Sequence, residues 1–299
     1  MSTNGQQERG KGMSRKTIVI VLGISVVLFG IGALLQDPLR LHPALSAVVV
    51  EIDSGEILYQ HNAEKRIPPA SLTKLMTVLL AVEAIESRQV DLLDLVSVSE
   101  YAASMEGSRV WLGAGECYTV EQLLMSLMIA SANDAAVAIA EYLGGNEPQF
   151  VSRMMERADE LGMQNTRFVN ATGLPAPDGE EEGFTTATDM ARLAQEVLCH
   201  RQILEWSRTP SQVLRENPLF VMRNTNPLLG TYPGCDGLKT GHTEAAGYHL
   251  IATAKRNGVR LISVIMHTNS RRAQAAASTR LLDYGFRKCM DTPELVSSP

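Results

Sequence analysis

The alternation of apolar and polar positions divides the chain into segments of three kinds. Residues 17–35 form an uncharged, mostly apolar run long enough to cross a bilayer as a helix. Short β-branched runs follow near both ends of what remains. Residues 47–52 predict a strand, Asp53-Ser54-Gly55 its turn, and 56–59 the returning strand. Residues 247–254 and 260–266 flank Arg256-Asn257-Gly258, a strong hairpin turn signal. Between these ends the apolar positions recur with helical period over 72–85, 120–129, 134–143, 148–161 and 188–198, and 270–282 predicts a closing helix on the sheet. Strands outside and helices within predict an α/β (α+β) fold: a mainly antiparallel sheet flanked by helices, with an inserted all-helical lobe and a cleft between the two.

Charge gives the first run an orientation. Arg9, Lys11, Arg15 and Lys16 precede it, so the basic flank is expected on the cytoplasmic side and everything beyond it outside. The expected organisation is a cytoplasmic tail at 1–16, a transmembrane anchor at 17–36, a proline-bounded spacer at 37–43, a soluble domain at 44–290 and a polar tail at 291–299. A cleaved signal peptide is the alternative for the run, although no clear small-x-small site follows it. With 299 residues, of which 45% are hydrophobic and 20% charged, the chain can bury one substantial core. Its net charge of -6, without a long basic stripe, argues against a nucleic-acid partner. The four cysteines, Cys117, Cys199, Cys235 and Cys289, show no metal-ligand spacing, so no metal site is expected, and they are left as free thiols or an unassigned disulfide.

Three short strings carry chemistry: Ser71-Leu72-Thr73-Lys74, Ser131-Ala132-Asn133 and Lys239-Thr240-Gly241. Singly they say little, since a Ser-x-x-Lys arises by chance about once in a chain of this length. Together they supply a nucleophile with a base one helical turn away, a second hydroxyl with an amide, and a cation beside a glycine. Pro68-Pro69 stops any preceding element, so a helix starting near Ala70 would carry Ser71 in its first turn and Lys74 on the same face. An ordinary lysine is protonated and cannot serve as a base; burial and a nearby cation, Lys239, would lower its pKa. A solvated surface lysine is the alternative for Lys74. For Ser131 and Asn133 it is capping of the helix expected near Asp134.

The strings and their surroundings resemble the penicillin-recognising serine enzymes, and within them the low-molecular-weight D-alanyl-D-alanine carboxypeptidases (peptidase S11). Pro69-Ala70-Ser71-Leu72-Thr73-Lys74-Leu75-Met76-Thr77, Ser131-Ala132-Asn133-Asp134-Ala135-Ala136, Asp236-Gly237-Leu238-Lys239-Thr240-Gly241 and Arg280-Leu281-Leu282-Asp283-Tyr284-Gly285-Phe286 all look like that family's blocks. The resemblance implies a β-lactamase/transpeptidase-like fold. It also implies an enzyme without a cofactor that trims the terminal D-alanine from peptidoglycan stem peptides and is acylated by β-lactam antibiotics at Ser71. It assigns proton relay with Lys74 to Ser131, and hydrogen bonding of the substrate's peptide group to Asn133. Lys239 and Thr240 would hold the terminal carboxylate, Gly241 would allow close approach, and the His242 backbone N–H would complete an oxyanion hole. A D,D-endopeptidase or β-lactamase on the same scaffold, and a non-turnover β-lactam sensor, remain alternatives. Many such enzymes continue past the position of Phe286 with a β-rich domain and a C-terminal anchor; the expectation here is an N-terminal anchor at the cytoplasmic membrane instead. The 170–174 segment looks like the family's loop bordering the site, whereas Gly107-Ser108-Arg109-Val110-Trp111-Leu112 departs from the usual form, with a core tryptophan as the alternative for Trp111. The acidic run at 178–183 is expected to be a solvated loop.

Overall fold

The computed structural model describes residues 39–42 and 45–291. The expected tail at 1–16, the anchor at 17–36 and the polar tail beyond 291 lie outside the described residues, and of the spacer only 39–42 is described, as irregular backbone. Among the described residues no helix is long and apolar enough to cross a membrane.

From residue 45 onward the chain is organised around one sheet. β1 (Ser46–Glu51) is buried along its whole length, as its Ala-Val-Val-Val run requires of a strand covered on both faces. It pairs with β2 (Ile57–His61), after which the helical lobe begins. A 3-10 turn at Ala70–Thr73 runs directly into α1 (Lys74–Glu86), whose residues from Lys74 to Val82 are all buried, so it is a core helix and not an amphipathic surface one. Burying each of its Leu and Val side chains contributes roughly 1.5–3 kcal/mol.

β3 (Leu95–Ser97), α2 (Glu100–Ala103) and β4 (Cys117–Thr119) form a small appendage before α3 (Val120–Met125). A capping box between Thr119 and Gln122 starts α3. The helix expected over 120–129 does not continue as α-helix. It widens into a π-helical turn at Ser126–Ala130 and stops at Ser131, which sits in the left-handed region at φ 59, ψ 34. α4 (Asn133–Gly144), α5 (Glu147–Glu160) and α6 (Ala187–Val197) follow the predicted periodicity closely.

α7 (Arg201–Ser207) and the hairpin of β5 (Ser211–Glu216) and β6 (Leu219–Arg223) were not expected. The chain then returns to the sheet with β7 (Cys235–Thr243), β8 (Gly247–Arg256) and β9 (Val259–Thr268). The strand order is β2-β1-β9-β8-β7, antiparallel throughout, with β7 at an edge. The turn between β8 and β9 is the predicted Asn257-Gly258, both at positive φ (50 and 88), as a two-residue hairpin of this twist demands.

The two faces of the sheet bury different partners. Val48, Val50, Ile251, Ile262 and Val264 join one contiguous core with α1, α3, α4, α5 and α6, so the two expected lobes share a core. On the other face lies α8 (Arg271–Asp291), longer than the 270–282 expected, because Gly285, Phe286 and Cys289 continue the buried stripe of Leu281 and Leu282. A Cβ at Gly285 would lie 2.7 Å from Leu261 and 3.1 Å from Val49, so the helix rests directly on the strands there.

Candidate active site

Ser71 occupies the 3-10 turn and not an α-helical first turn, but the i, i+3 geometry survives: Lys74 Nζ lies 2.9 Å from Ser71 Oγ. Lys74 is fully buried and donates to the Thr172 carbonyl oxygen at 2.7 Å. Thr77, one turn on, donates to the neighbouring Ala171 carbonyl at 2.8 Å. The 170–174 loop is therefore the floor on which the Lys74 amine is fixed. The loop in turn depends on Gly173, at φ +80, where a Cβ would overlap the Ala70 carbonyl and lie 2.8 Å from Thr73 Oγ1. Gly173→Ala combines left-handed strain with overpacking and is expected to destabilise by about 2–5 kcal/mol, on the order of 5–15 °C in Tm. Differential scanning fluorimetry checks this; an unchanged Tm would show that the loop is not pinned against the nucleophile turn.

The second and third strings meet each other. Lys239 on β7 donates to Ser131 Oγ at 2.7 Å and to the Thr240 carbonyl at 3.0 Å. The unusual backbone of Ser131, at the end of the π turn, is what aims its hydroxyl at this lysine. Asn133 opens α4, its backbone N–H bound to the Ser108 carbonyl at 2.7 Å and its amide Nδ2 to the Glu106 carbonyl at 2.5 Å. Its Oδ1 is buried and has no partner among the described residues. The capping alternative does not hold: the N-cap of α4 is Ala132, with no side-chain cap bond. Asp134 is used differently, its buried carboxylate accepting the Val110 and Leu112 N–H groups and so tethering the 107–112 segment to α4.

Burial sets the electrostatics. Lys74 is held well below the ordinary lysine pKa, first by burial and then by the Lys239 cation, with Asp134 acting in the opposite sense. Lys239, also buried, is brought down to about 7. A lysine whose hold on its proton is weakened in this way can serve as a base. A solvated surface lysine, the alternative for Lys74, is ruled out.

A cleft of about 470 Å³ is lined by Ser71, Ser131, Thr240, Gly241 and His242 from the expected set, whereas Lys74, Asn133 and Lys239 stand behind its wall. At Gly241 a Cβ would come within 3.3 Å of the Ser71 and Leu72 amide nitrogens, so the edge of β7 lies against the nucleophile turn with little room for any side chain. Sequence reasoning missed Ser108, Thr225, Tyr248, Arg271 and Gln274, which also line the cleft. Thr225 pairs with Thr240 through their hydroxyls at 2.6 Å. No local pattern marks these residues, because they arrive from separate parts of the chain: Ser108 and Thr225 from loops, Tyr248 from β8, and Arg271 and Gln274 from α8.

Several secondary expectations resolve here. Trp111 is not a core residue: it is 60% exposed, with the Arg109 guanidinium 3.7 Å over its ring. The acidic run is exposed apart from the buried Gly183 side of the loop, and Glu181 pairs with Arg167. All four cysteines are free thiols, Cys117 and Cys199 exposed. A larger groove of about 640 Å³ on another part of the surface, lined by Arg192, Gln195 and Lys255 among others, contains none of the motif residues. Glu83, Glu196 and His200 bring ligand atoms within 4.8 Å of one another, but Arg157 already pairs with both glutamates at 2.8 and 2.6 Å. A guanidinium fills the place a metal ion would take.

Residues 36–270 match the family Peptidase_S11, D-alanyl-D-alanine carboxypeptidase. The chain belongs to the S11 peptidases. It is 42% identical over 281 residues to the D-alanyl-D-alanine carboxypeptidase DacF of Bacillus subtilis, covering 92% of this chain and 71% of that protein. It is 34% identical over 251 residues to DacA of Escherichia coli K12, a D-alanyl-D-alanine carboxypeptidase, covering 82% of this chain and 61% of that one. The solved DacD carboxypeptidase of Francisella tularensis is similar with a TM-score of 0.75 at 30% identity, over 81% of this chain and 70% of that one. Penicillin-Binding Protein D2 of Listeria monocytogenes, in its ampicillin-bound form, is similar with a TM-score of 0.70 at 33% identity, over 81% and 96%. This S11 chain is thus a serine-type peptidase with an antiparallel sheet and helices arranged as in the penicillin-binding proteins.

Proposed function

We propose that this S11 peptidase removes the terminal D-alanine from peptidoglycan stem peptides through an acyl-enzyme on Ser71, and that β-lactam antibiotics acylate the same oxygen. The observation that carries the reading is a fully buried Lys74 amine, its proton affinity reduced, 2.9 Å from Ser71 Oγ.

The neutral amine takes the Ser71 proton as Oγ attacks the carbonyl between the two D-alanines. The resulting oxyanion faces the Ser71 and His242 backbone N–H groups, which the close approach of β7 at Gly241 supports. Ser131, held by Lys239, relays the proton to the departing amine, and water then hydrolyses the acyl-enzyme. Asn133, whose buried Oδ1 is unpaired among the described residues behind the cleft wall, is assigned to hydrogen bonding of the substrate's peptide group by its place in the Ser131-Ala132-Asn133 string. The Thr240 and Thr225 hydroxyls and the Arg271 guanidinium line the cleft, where a free carboxylate is stabilised and a continuing amide is not. Lys239 contributes to that contact as a buried charge behind Thr240.

The detergent-solubilised chain is expected to release D-alanine from a pentapeptide ending in D-alanyl-D-alanine. Penicillin labelling without any release would favour the sensor, and faster cleavage of cross-linked dimers the endopeptidase. The basic flank and the apolar run support anchoring by 17–36 in the bacterial cytoplasmic membrane, with the peptidase domain outside. The protein is then expected to stay with membranes after alkaline washing; a soluble mature form starting near Ala44 would show a cleaved signal instead.

A further inference from the structure

The mechanism leaves one fully buried histidine unused. His249 lies on β8 directly opposite Gly241, and at its position the pairing of β8 with β9 shifts register between Tyr248 and Leu250. Such irregularities re-aim a side chain. Here the imidazole reaches past the sheet: Nε2 lies 2.9 Å from the Pro68 carbonyl oxygen, three residues before Ser71. Nδ1 accepts the His267 backbone N–H at 3.0 Å, and the His249 carbonyl receives Gln274 Nε2 from α8. His267, itself at φ 67, places Nδ1 2.9 Å from the Ala246 carbonyl in the β7–β8 turn.

These partners fix the tautomer. A carbonyl can only accept, so Nε2 carries the proton; a backbone N–H can only donate, so Nδ1 must be bare. One neutral imidazole therefore ties the approach to the nucleophile turn to β8 and β9, and the same residue's backbone carbonyl holds the cleft-lining end of α8. The groups facing it are His267 from β9, His242 from β7, the neutral Gln274 from α8 and the Pro68 carbonyl. Two are further histidines and none is an anion; burial outweighs the Pro68 and Tyr248 backbone groups, which alone favour an imidazolium.

We propose that His249 is a positioning residue for the acylation step: its Nε2–H···O=C bond to Pro68 holds the turn carrying Ser71 in reacting register against the edge of β7. It touches neither substrate nor the reacting atoms; it acts through Pro68 and the turn that follows. The second bond, from His267, keeps the imidazole neutral and aimed. Protonation at Nδ1 would set it and the His267 N–H donor to donor, and release the bond that aims the ring at Pro68. Burial, reinforced by His267 and His242, brings the His249 pKa down to about 4, so the strut stays neutral down to that pH.

Two variants test the inference, with penicillin acylation measured by stopped-flow and non-covalent affinity separated from the acylation rate. His249→Leu fills the space but leaves the Pro68 carbonyl and the His267 N–H unpaired. Its acylation rate is expected to fall on the order of ten- to a hundredfold, as a displaced nucleophile would, with prior non-covalent affinity unchanged. In His249→Gln the terminal amide presents a donor and an acceptor spaced like the two ring nitrogens, and its rate is expected to stay close to the parent's. Gln cannot titrate, so the acid limb of the parent's rate profile should steepen from a slope of one to two below about pH 4, while that of His249→Gln keeps a slope of one. A parental rate in His249→Leu, or equal slowing in both variants, overturns the proposal. Should His249→Leu fail to fold, equal acid slopes in parent and His249→Gln overturn it. The inference rests on Ser71 being the acylated residue. A parent that penicillin does not label would remove that reading, whereas a labelled parent indifferent to His249→Leu removes this one alone.

Discussion

Ser71→Ala is expected to abolish covalent labelling by penicillin, and peptide mapping of the labelled parent by mass spectrometry is expected to place the adduct on Ser71. Lys74→Ala should retain the fold and lose about 10²–10⁴-fold in acylation rate, the usual contribution of a positioned general base. The structure explains why the loss is chemical and not architectural. Lys74 Nζ contacts Ser71 Oγ and the Thr172 carbonyl, whereas the surrounding core is made by Leu72, Leu75, Met76 and Leu79. An undiminished adduct in Ser71→Ala would move the nucleophile elsewhere, and an unchanged rate in Lys74→Ala would take the base role from that residue.

The sign of the pH dependence follows from the lowered pKa. Below it Lys74 is protonated and the rate is small; as pH rises through it the amine is freed and the rate climbs. The same lowering has a thermodynamic counterpart. Between the folded pKa and the ordinary lysine value the unfolded chain binds the proton that the folded chain refuses, so folding is disfavoured most at the low end of that range and stability recovers as pH rises towards 10.5. The buried lysine pair therefore works against stability near neutrality, which is the usual character of a functional site.

Lys239→Ala should act in two ways at once, because its Nζ both bonds Ser131 and repels the Lys74 proton. Removing that cation lets Lys74 keep its proton to higher pH, so the rising limb of the acylation profile is expected to move upward and activity at neutral pH to fall, with partial recovery in alkali. The second effect concerns what is recognised. The parent should cleave a terminal D-alanyl-D-alanine far faster than its C-terminal amide. Loss of one charge-assisted contact, about 1.5–3 kcal/mol, should reduce that preference on the order of ten- to a hundredfold. Specificity constants for acid and amide peptides over a range of pH measure both. Equal rates on acid and amide in the parent would overturn the carboxypeptidase reading, and an unshifted limb in Lys239→Ala would show that the two lysines are not coupled.

What could be seen in advance was whatever short-range physics determines. β1 is a run of β-branched residues, the β8–β9 turn is an Asn-Gly pair that tolerates positive φ at both positions, and α4, α5 and α6 have a clear helical period. The Ser71–Lys74 contact belongs to the same class, since i, i+3 neighbours meet in a 3-10 turn as they do in an α-helix. The elements that escaped are those whose local signals are faint. β3 and β4 are three residues each, and β5 and β6 expose Val213, Leu219 and Val221, so their pattern shows no buried face of the expected kind.

The sequence by itself determined the components: the nucleophile with its neighbouring base, the two partner strings, the helical and strand periods and the order in which they come. Only the tertiary structure decided what those components do to one another, because apart from the Ser71–Lys74 pair the decisive contacts join residues far apart in the chain. Lys74 meets the Thr172 carbonyl across 98 positions, Lys239 meets Ser131 across 108, and His249 meets Pro68 across 181. Each of these contacts forms inside the packed core or beside it, where water is excluded and a charge or a hydrogen bond carries far more weight than it does on an isolated segment. The lowered lysine pKa is a property of that enclosure and of the distance between two cations. Neither quantity exists until the sheet and the helical lobe have closed on the same cleft.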